Sequence, residues 1–283
     1  MSWLKKGFSI TSTGIAQVLE YRTELILWFF LDLLPIGVLI FIWQAIFAHK
    51  SELNGFTLTA TIQYYFLVFL ISTITDVHFE TWRCREIRDG KIDFYLVKPF
   101  SYLNQIFFRE LSSRIVTSAI FLSLFLCFAL LFDFAQSKFS IFLFPNLNFQ
   151  VLSLSFSLTL SQIILVTLLL LSGFLLHFLI SLWIVLATFW FEGSQGLEHF
   201  KWISVTLFSG SMLPLAFMPE WLQKIVNVLP LKYLHAVPIG VIQQTYNFQT
   251  RDMISLILTL SVFGILTIWL WRQAIRQYSS VGG

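Results

Sequence analysis

Residues 25–48 read LILWFFLDLLPIGVLIFIWQAIFA, twenty-four positions with a single charge, Asp32. No other feature restricts the fold as tightly. An α-helix of about 20 apolar residues covers the ~30 Å of hydrocarbon in a bilayer, and inside lipid every backbone N–H and C=O must be bonded within the segment. Comparable runs recur at 56–77, 114–133, 197–216 and 252–272, and a longer one fills 148–191. Charged residues make up 12% of the chain, against about 25% in soluble domains. The sequence therefore reads as an all-α integral membrane protein with six transmembrane helices.

The run at 148–191 holds more residues than one straight crossing needs. It divides either into a surface segment followed by a long tilted helix or into a tight pair of helices, and a pair would invert everything downstream. Loop charge favours the single helix, because Lys and Arg collect on the cytoplasmic side of membrane spans. Six spans with the N-terminus inside leave 13 basic residues inside and 5 outside. Both termini are then cytoplasmic, in a multi-pass protein of the cell (inner or plasma) membrane. The first apolar run is expected to remain as a span, since no A-x-A-like exit follows it. Cys84 and Cys127 are too few and too dissimilar in setting to form a disulfide framework.

Residues 1–24 precede the first span. Phe8, Ile15, Val18 and Leu19 share one face of a helix opposite Gln17 and Glu20, with Lys5 and Lys6 in front. That pattern describes an amphipathic helix lying along the inner surface. Gly7, Gly14 and the Ser/Thr residues between them count against helix continuity, and a disordered tail is the alternative. Residues 25–283 form one six-helix domain.

The charge of the chain is concentrated in a cytoplasmic segment, 76–113. Over residues 76–114 seven basic side chains face six acidic ones. Such balance is unsuited to a polybasic lipid patch or to nucleic acid, both of which need an excess of Lys and Arg. It suits docking against another protein, where complementary charge fixes orientation. Helix is expected from about Asp76 to Arg88, with a stop at Asp89-Gly90 and a second break at Lys98-Pro99. A solvated connecting loop is the plain alternative. A second irregular stretch, 214–238, reads as a broken re-entrant element. Pro219 fits a first helical turn, Leu222, Ile225, Val226 and Leu229 make an apolar stripe, and Pro230 ends the run. Irregular backbone at membrane depth must be buried in protein or line water.

Both stretches resemble the type-2 ABC transporter permeases, most closely the six-span branch related to antibiotic export. IRDGKIDFYLVKPFS matches that family's cytoplasmic pattern at Ile87, Arg88, Gly90, Ile92, Leu96, Pro99, Phe100 and Ser101, with Lys98 where Arg is usual. SGSMLPLAFMPEWLQKIVNVLPLKYLHAVPIG, residues 209–240, carries the Ser-Gly, Pro-Leu, Pro-x-x-Leu, Leu-Pro progression, and LATFWFEGSQGLEHF resembles the turn before it. The resemblance implies a permease subunit of an ATP-driven exporter. It pairs with a second permease, identical or related, and is coupled to separate ABC ATPase subunits that bind ATP and Mg. The chain itself then needs no cofactor. Arg85, Glu86, Arg88, Asp89, Gly90 and Lys91 are the expected ATPase-coupling residues. Gly210, Pro214, Pro219, Leu222, Ile225 and Pro230 are those of the outer gate, with the first, second and fifth spans lining the route.

Catalytic and metal motifs are missing from the sequence. It contains no G-x-x-x-x-G-K-[ST] phosphate loop, so any motor is a separate chain. The five histidines have no metal-ligand spacing, and no G-x-S-x-G elbow accompanies the serines. His177, inside an apolar run, reads as a hydrogen-bonded structural residue. A motor-independent transporter or channel is the first rival, and would call for several intramembrane charges. A membrane-embedded enzyme is the second, and lacks a clustered catalytic set.

Overall fold

The structure is a computed structural model, and it describes residues 3–98, 100–138, 158–191 and 193–278. Eleven α-helices run in order through these residues: α1 (Trp3–Glu20), α2 (Arg22–Phe47), α3 (Leu58–Thr75), α4 (Glu80–Arg88), α5 (Asp93–Leu96), α6 (Tyr102–Lys138), α7 (Leu160–Ala187), α8 (Gln195–Phe208), α9 (Glu220–Val228), α10 (Ala236–Ile242) and α11 (Thr250–Gln277). Short 3₁₀ turns at Leu215–Phe217 and Pro230–Tyr233 flank α9. Five helical segments among the described residues are long and apolar enough to cross a membrane: α2, α3 with its continuation into α4, α6, α7 and α11.

The long run resolves as one helix. α7 is continuous over 28 residues and opens with a capping box, in which Thr159 N–H donates to Gln162 Oε1 at 2.9 Å and Thr159 Oγ1 accepts from Gln162 N–H. A tight pair would need a turn inside that span. Residues 148–157 of the expected surface segment lie outside the described residues.

Two expectations change. The third helix begins at Tyr102 rather than 114, so α6 is 37 residues long and its first turns belong to what read as a loop. The expected fifth span, 197–216, is not one helix. α8 has 14 residues, about 21 Å at 1.5 Å per residue, well short of the ~30 Å that hydrocarbon requires. It stops because Ser209-Gly210 turns the chain, with Gly210 at φ +90° in the left-handed region. A Cβ on Gly210 would also stand 2.9 Å from Ala236 Cβ and 2.9 Å from Tyr64 Oη.

At the N-terminus α1 is an unbroken 18-residue helix, and its glycines are the reason it fits. Gly7 and Gly14 are buried against α6, where a Cβ on Gly7 would fall 2.6 Å from the Phe108 ring and one on Gly14 would collide with Ser112. Small residues let two helix backbones approach closely. Phe8 and Leu19 remain exposed beside that contact.

Aromatic side chains fill the interior. Phe29 of α2 meets Phe69 of α3 and Phe121 of α6 edge-on at 5.7 and 5.5 Å. On the other side Trp183 of α7 stacks on Phe263 of α11 at 4.3 Å and donates its indole N–H to Thr267 Oγ1 at 2.8 Å. α7 is the hub, packed on α3, α4, α10 and α11.

Candidate functional site

α4 is short, and its two faces are sorted sharply. Glu80, Arg83, Cys84 and Ile87 point inward, while Trp82, Arg85, Arg88, Asp89 and Lys91 are exposed. Gly90 takes φ +70° and reverses the chain into α5, where Phe94 is exposed at 71%, as is Val97 just past its end at 83%. The outer surface of this knob therefore mixes apolar and charged groups. Arg85 sits over the Trp82 ring at 5.6 Å. Lys91 Nζ donates to Asp89 Oδ2 at 2.8 Å, and that bond, with Arg85 and Arg88 nearby, holds the Asp89 carboxyl below its usual range. Glu86 is the exception among the six expected residues. It turns inward to accept from Arg83 Nη1 at 2.6 Å and from the Tyr95 hydroxyl at 3.4 Å, so it braces the knob.

Behind the knob lies a buried polar junction that the sequence did not announce. Lys201 of α8 is 7% exposed. Its ammonium donates to Val77 O at 2.8 Å, to Ser181 Oγ of α7 at 2.7 Å, and to the Glu80 carboxylate of α4. Thr81 Oγ1 adds a bond to Glu198 Oε2 at 2.7 Å. One turn deeper, His177 Nδ1 of α7 lies 3.3 Å from Asp76 Oδ1, just past the end of α3. Neither ring nitrogen of His177 makes a hydrogen bond among the described residues, so the expected hydrogen-bonded histidine is replaced by this contact with Asp76. His235, which caps α10, sits between Ser72 Oγ (2.8 Å from Nε2) and Ser209 Oγ (3.0 Å from Nδ1), with Asp76 Oδ1 at 3.9 Å. The α3–α4 bend, α7, the end of α8 and the start of α10 all meet here. No group of three or more His, Cys, Asp or Glu suited to a metal ion occurs among the described residues.

The 214–238 stretch forms a hairpin-like excursion between α8 and α10. Ala236 N–H donates to Ser209 O at 2.9 Å, so the two ends of the excursion close on each other. Its first limb is tied to α3 and the turn before it. The Tyr64 and Tyr65 hydroxyls donate to Gly210 O and Met212 O at 2.7 and 3.2 Å, and Asn54 Nδ2 donates to Ala216 O at 2.8 Å. Pro214 is buried, Pro219 caps α9, and Pro230 opens the following 3₁₀ turn. Leu222 is half-buried but Ile225 is 44% exposed. The buried anchor of α9 is Val226, at 0%. The stripe therefore sits one residue over from Ile225, because the 3.6-residue period leaves only one narrow face against the bundle.

A cavity of about 1020 Å³ opens between α1, α2, α3 and α6. Trp82 and His78 stand at its α4 end, Tyr65 and Ser211 at the end nearer α9. Charged groups on its wall are Glu24, Asp32, Asp76, Glu110, Arg109 and Arg114. The excursion at 209–218 thus touches the cavity at the end opposite the knob.

The family model described as "ABC-2 family transporter protein" matches residues 33–282. No curated protein matches the chain.

Proposed function

Because the chain belongs to the ABC-2 transporter family, we propose that it is the permease subunit of an ATP-driven exporter in the cell membrane, working beside a second permease subunit and two ABC ATPase subunits. The ATPases dock on α4, the Gly90 turn and α5. Both termini are cytoplasmic, and α1 lies along the inner surface. α8 and α10, fourteen and seven residues joined end to end by the Ala236–Ser209 bond, together supply the fifth of the six crossings at about the 20 residues that hydrocarbon demands. The intervening excursion is the outer gate, and discontinuous helices of this kind commonly mark transport sites.

The observation that carries this reading is the attachment of Lys201. It fixes α8 to the docking helix through Glu80 and Val77 O, and the chain leaving α8 is the gate itself. A shift of α4 on nucleotide binding therefore moves the base of the gate without passing through lipid-facing helices. ATP favours whichever arrangement the ATPases hold more tightly. The cavity reaches from the docking side to the gate, as an inward-open route with its outer end shut requires.

Charge reversal on the exposed knob tests the assignment. In proteoliposomes with the ATPases, the R88E/D89R variant is expected to keep ATP hydrolysis while transport falls to background. Transport unchanged in that variant contradicts the docking role.

A further inference from the structure

We propose that the cavity between α1, α2, α3 and α6 binds amphipathic organic cations, with Asp32 as the residue that selects their charge. This rests on the permease reading above and names the class of molecule the route admits. The volume, about 1020 Å³, falls at the upper end of the roughly 300–1,000 Å³ range of small-molecule sites. Leu39, Phe69 and Phe121 make the wall towards the gate apolar. On α2, Glu24, Trp28 and Asp32 recur every fourth residue and all three line the cavity, an acid–indole–acid ladder on one helix face. Carboxylates and aromatic rings are the two groups that stabilise an organic cation in apolar surroundings.

The charges on the wall do not cancel. The carboxylates of Glu24, Asp32, Asp76 and Glu110 outnumber the guanidiniums of Arg109 and Arg114. Of the two guanidiniums, Arg109 is committed through Nη2, which donates to Gln17 Oε1 at 2.8 Å, and Arg114 has the opposing charge of Glu110 one turn away. Asp76 is shared with His177 and His235. Asp32 is exposed, as Glu24 is, but Glu24 accepts from the Trp28 indole whereas Asp32 has neither a hydrogen bond nor an ion pair among the described residues. An intramembrane carboxylate without a partner is costly and faces a functional path. An anion meets net repulsion here, and a neutral polyhydroxyl compound finds too few polar partners on the apolar wall.

Tetraphenylphosphonium and tetraphenylborate test this directly, being alike in shape and opposite in charge. Their binding to the purified chain in nanodiscs, referenced to empty discs, should favour the phosphonium by about tenfold or more, the scale of one charged contact. Asp32→Asn should remove that preference and Asp32→Glu retain it, with melting curves of both variants matching the parent because Asp32 holds nothing in place. Equal or tighter borate binding, or an unaltered preference in Asp32→Asn, overturns the proposal. The assay needs no ATPase, so its failure removes the ligand class alone. The permease reading falls separately, if no ATPase subunit co-purifies with the chain.

Discussion

Lys201 sits in the middle of α8 with its ammonium enclosed by Val77 O, Ser181 Oγ and the Glu80 carboxylate. Removing one partner of such a buried pair strands the other charge, at a cost of about 3–5 kcal/mol, whereas replacing both by apolar groups of similar volume is often neutral. Lys201→Met is therefore expected to lower the melting temperature sharply, and the E80L/K201M double variant to regain most of it. ATP-driven transport should stay lost in the double variant, since stability is restored but the tie between α4 and α8 is not. Recovery of transport together with stability would reduce the pair to a structural role. Lys201 and Glu80 lie 121 positions apart, so no spacing pattern connects them. The Asp76–His177–His235 contacts were invisible for the same reason. His177 stood out in the sequence only as a polar residue in an apolar run, and its neighbour Asp76 did not.

Element by element, what the sequence reveals depends on how local the cause is. The crossings α2, α3, α7 and α11 follow from apolar runs whose length is set by lipid, and their ends fall within a few residues of expectation, save where α7 begins. The stop at Asp89-Gly90 was equally legible, because the left-handed turn depends on one glycine. α8 was misread, since ISVTLFSGSMLPLAF carries no charge and only the contact of Gly210 with Tyr64 and Ala236 shows why the helix must end. α1 was read as a helix in spite of its glycines, and α6 supplies the surface that they fit. Gly210→Ala tests the broken helix. An alanine at φ +90° with Ala236 Cβ at 2.9 Å should cost more than about 1 kcal/mol, read as a lowered melting temperature, and should slow transport by displacing the α8–α10 joint. An unchanged melting temperature would mean that the joint is loose.

At the scale of the whole molecule, a charged knob, a buried polar junction and a tethered excursion stand in line, with an acidic, aromatic-walled cavity running beside them. Charge balance identified the knob and proline spacing identified the excursion, but the connection between them is a product of tertiary packing. The proposed mechanism requires the knob and the excursion to face opposite sides of the membrane. Single cysteines at positions 88 and 221, in a chain whose Cys84 and Cys127 are replaced by serine, measure this in sealed right-side-out vesicles with an impermeant maleimide. The expected result is labelling at 221 in sealed vesicles and at 88 only after permeabilisation. Labelling at 88 in sealed vesicles would put the knob beyond reach of any ATPase and contradict the account.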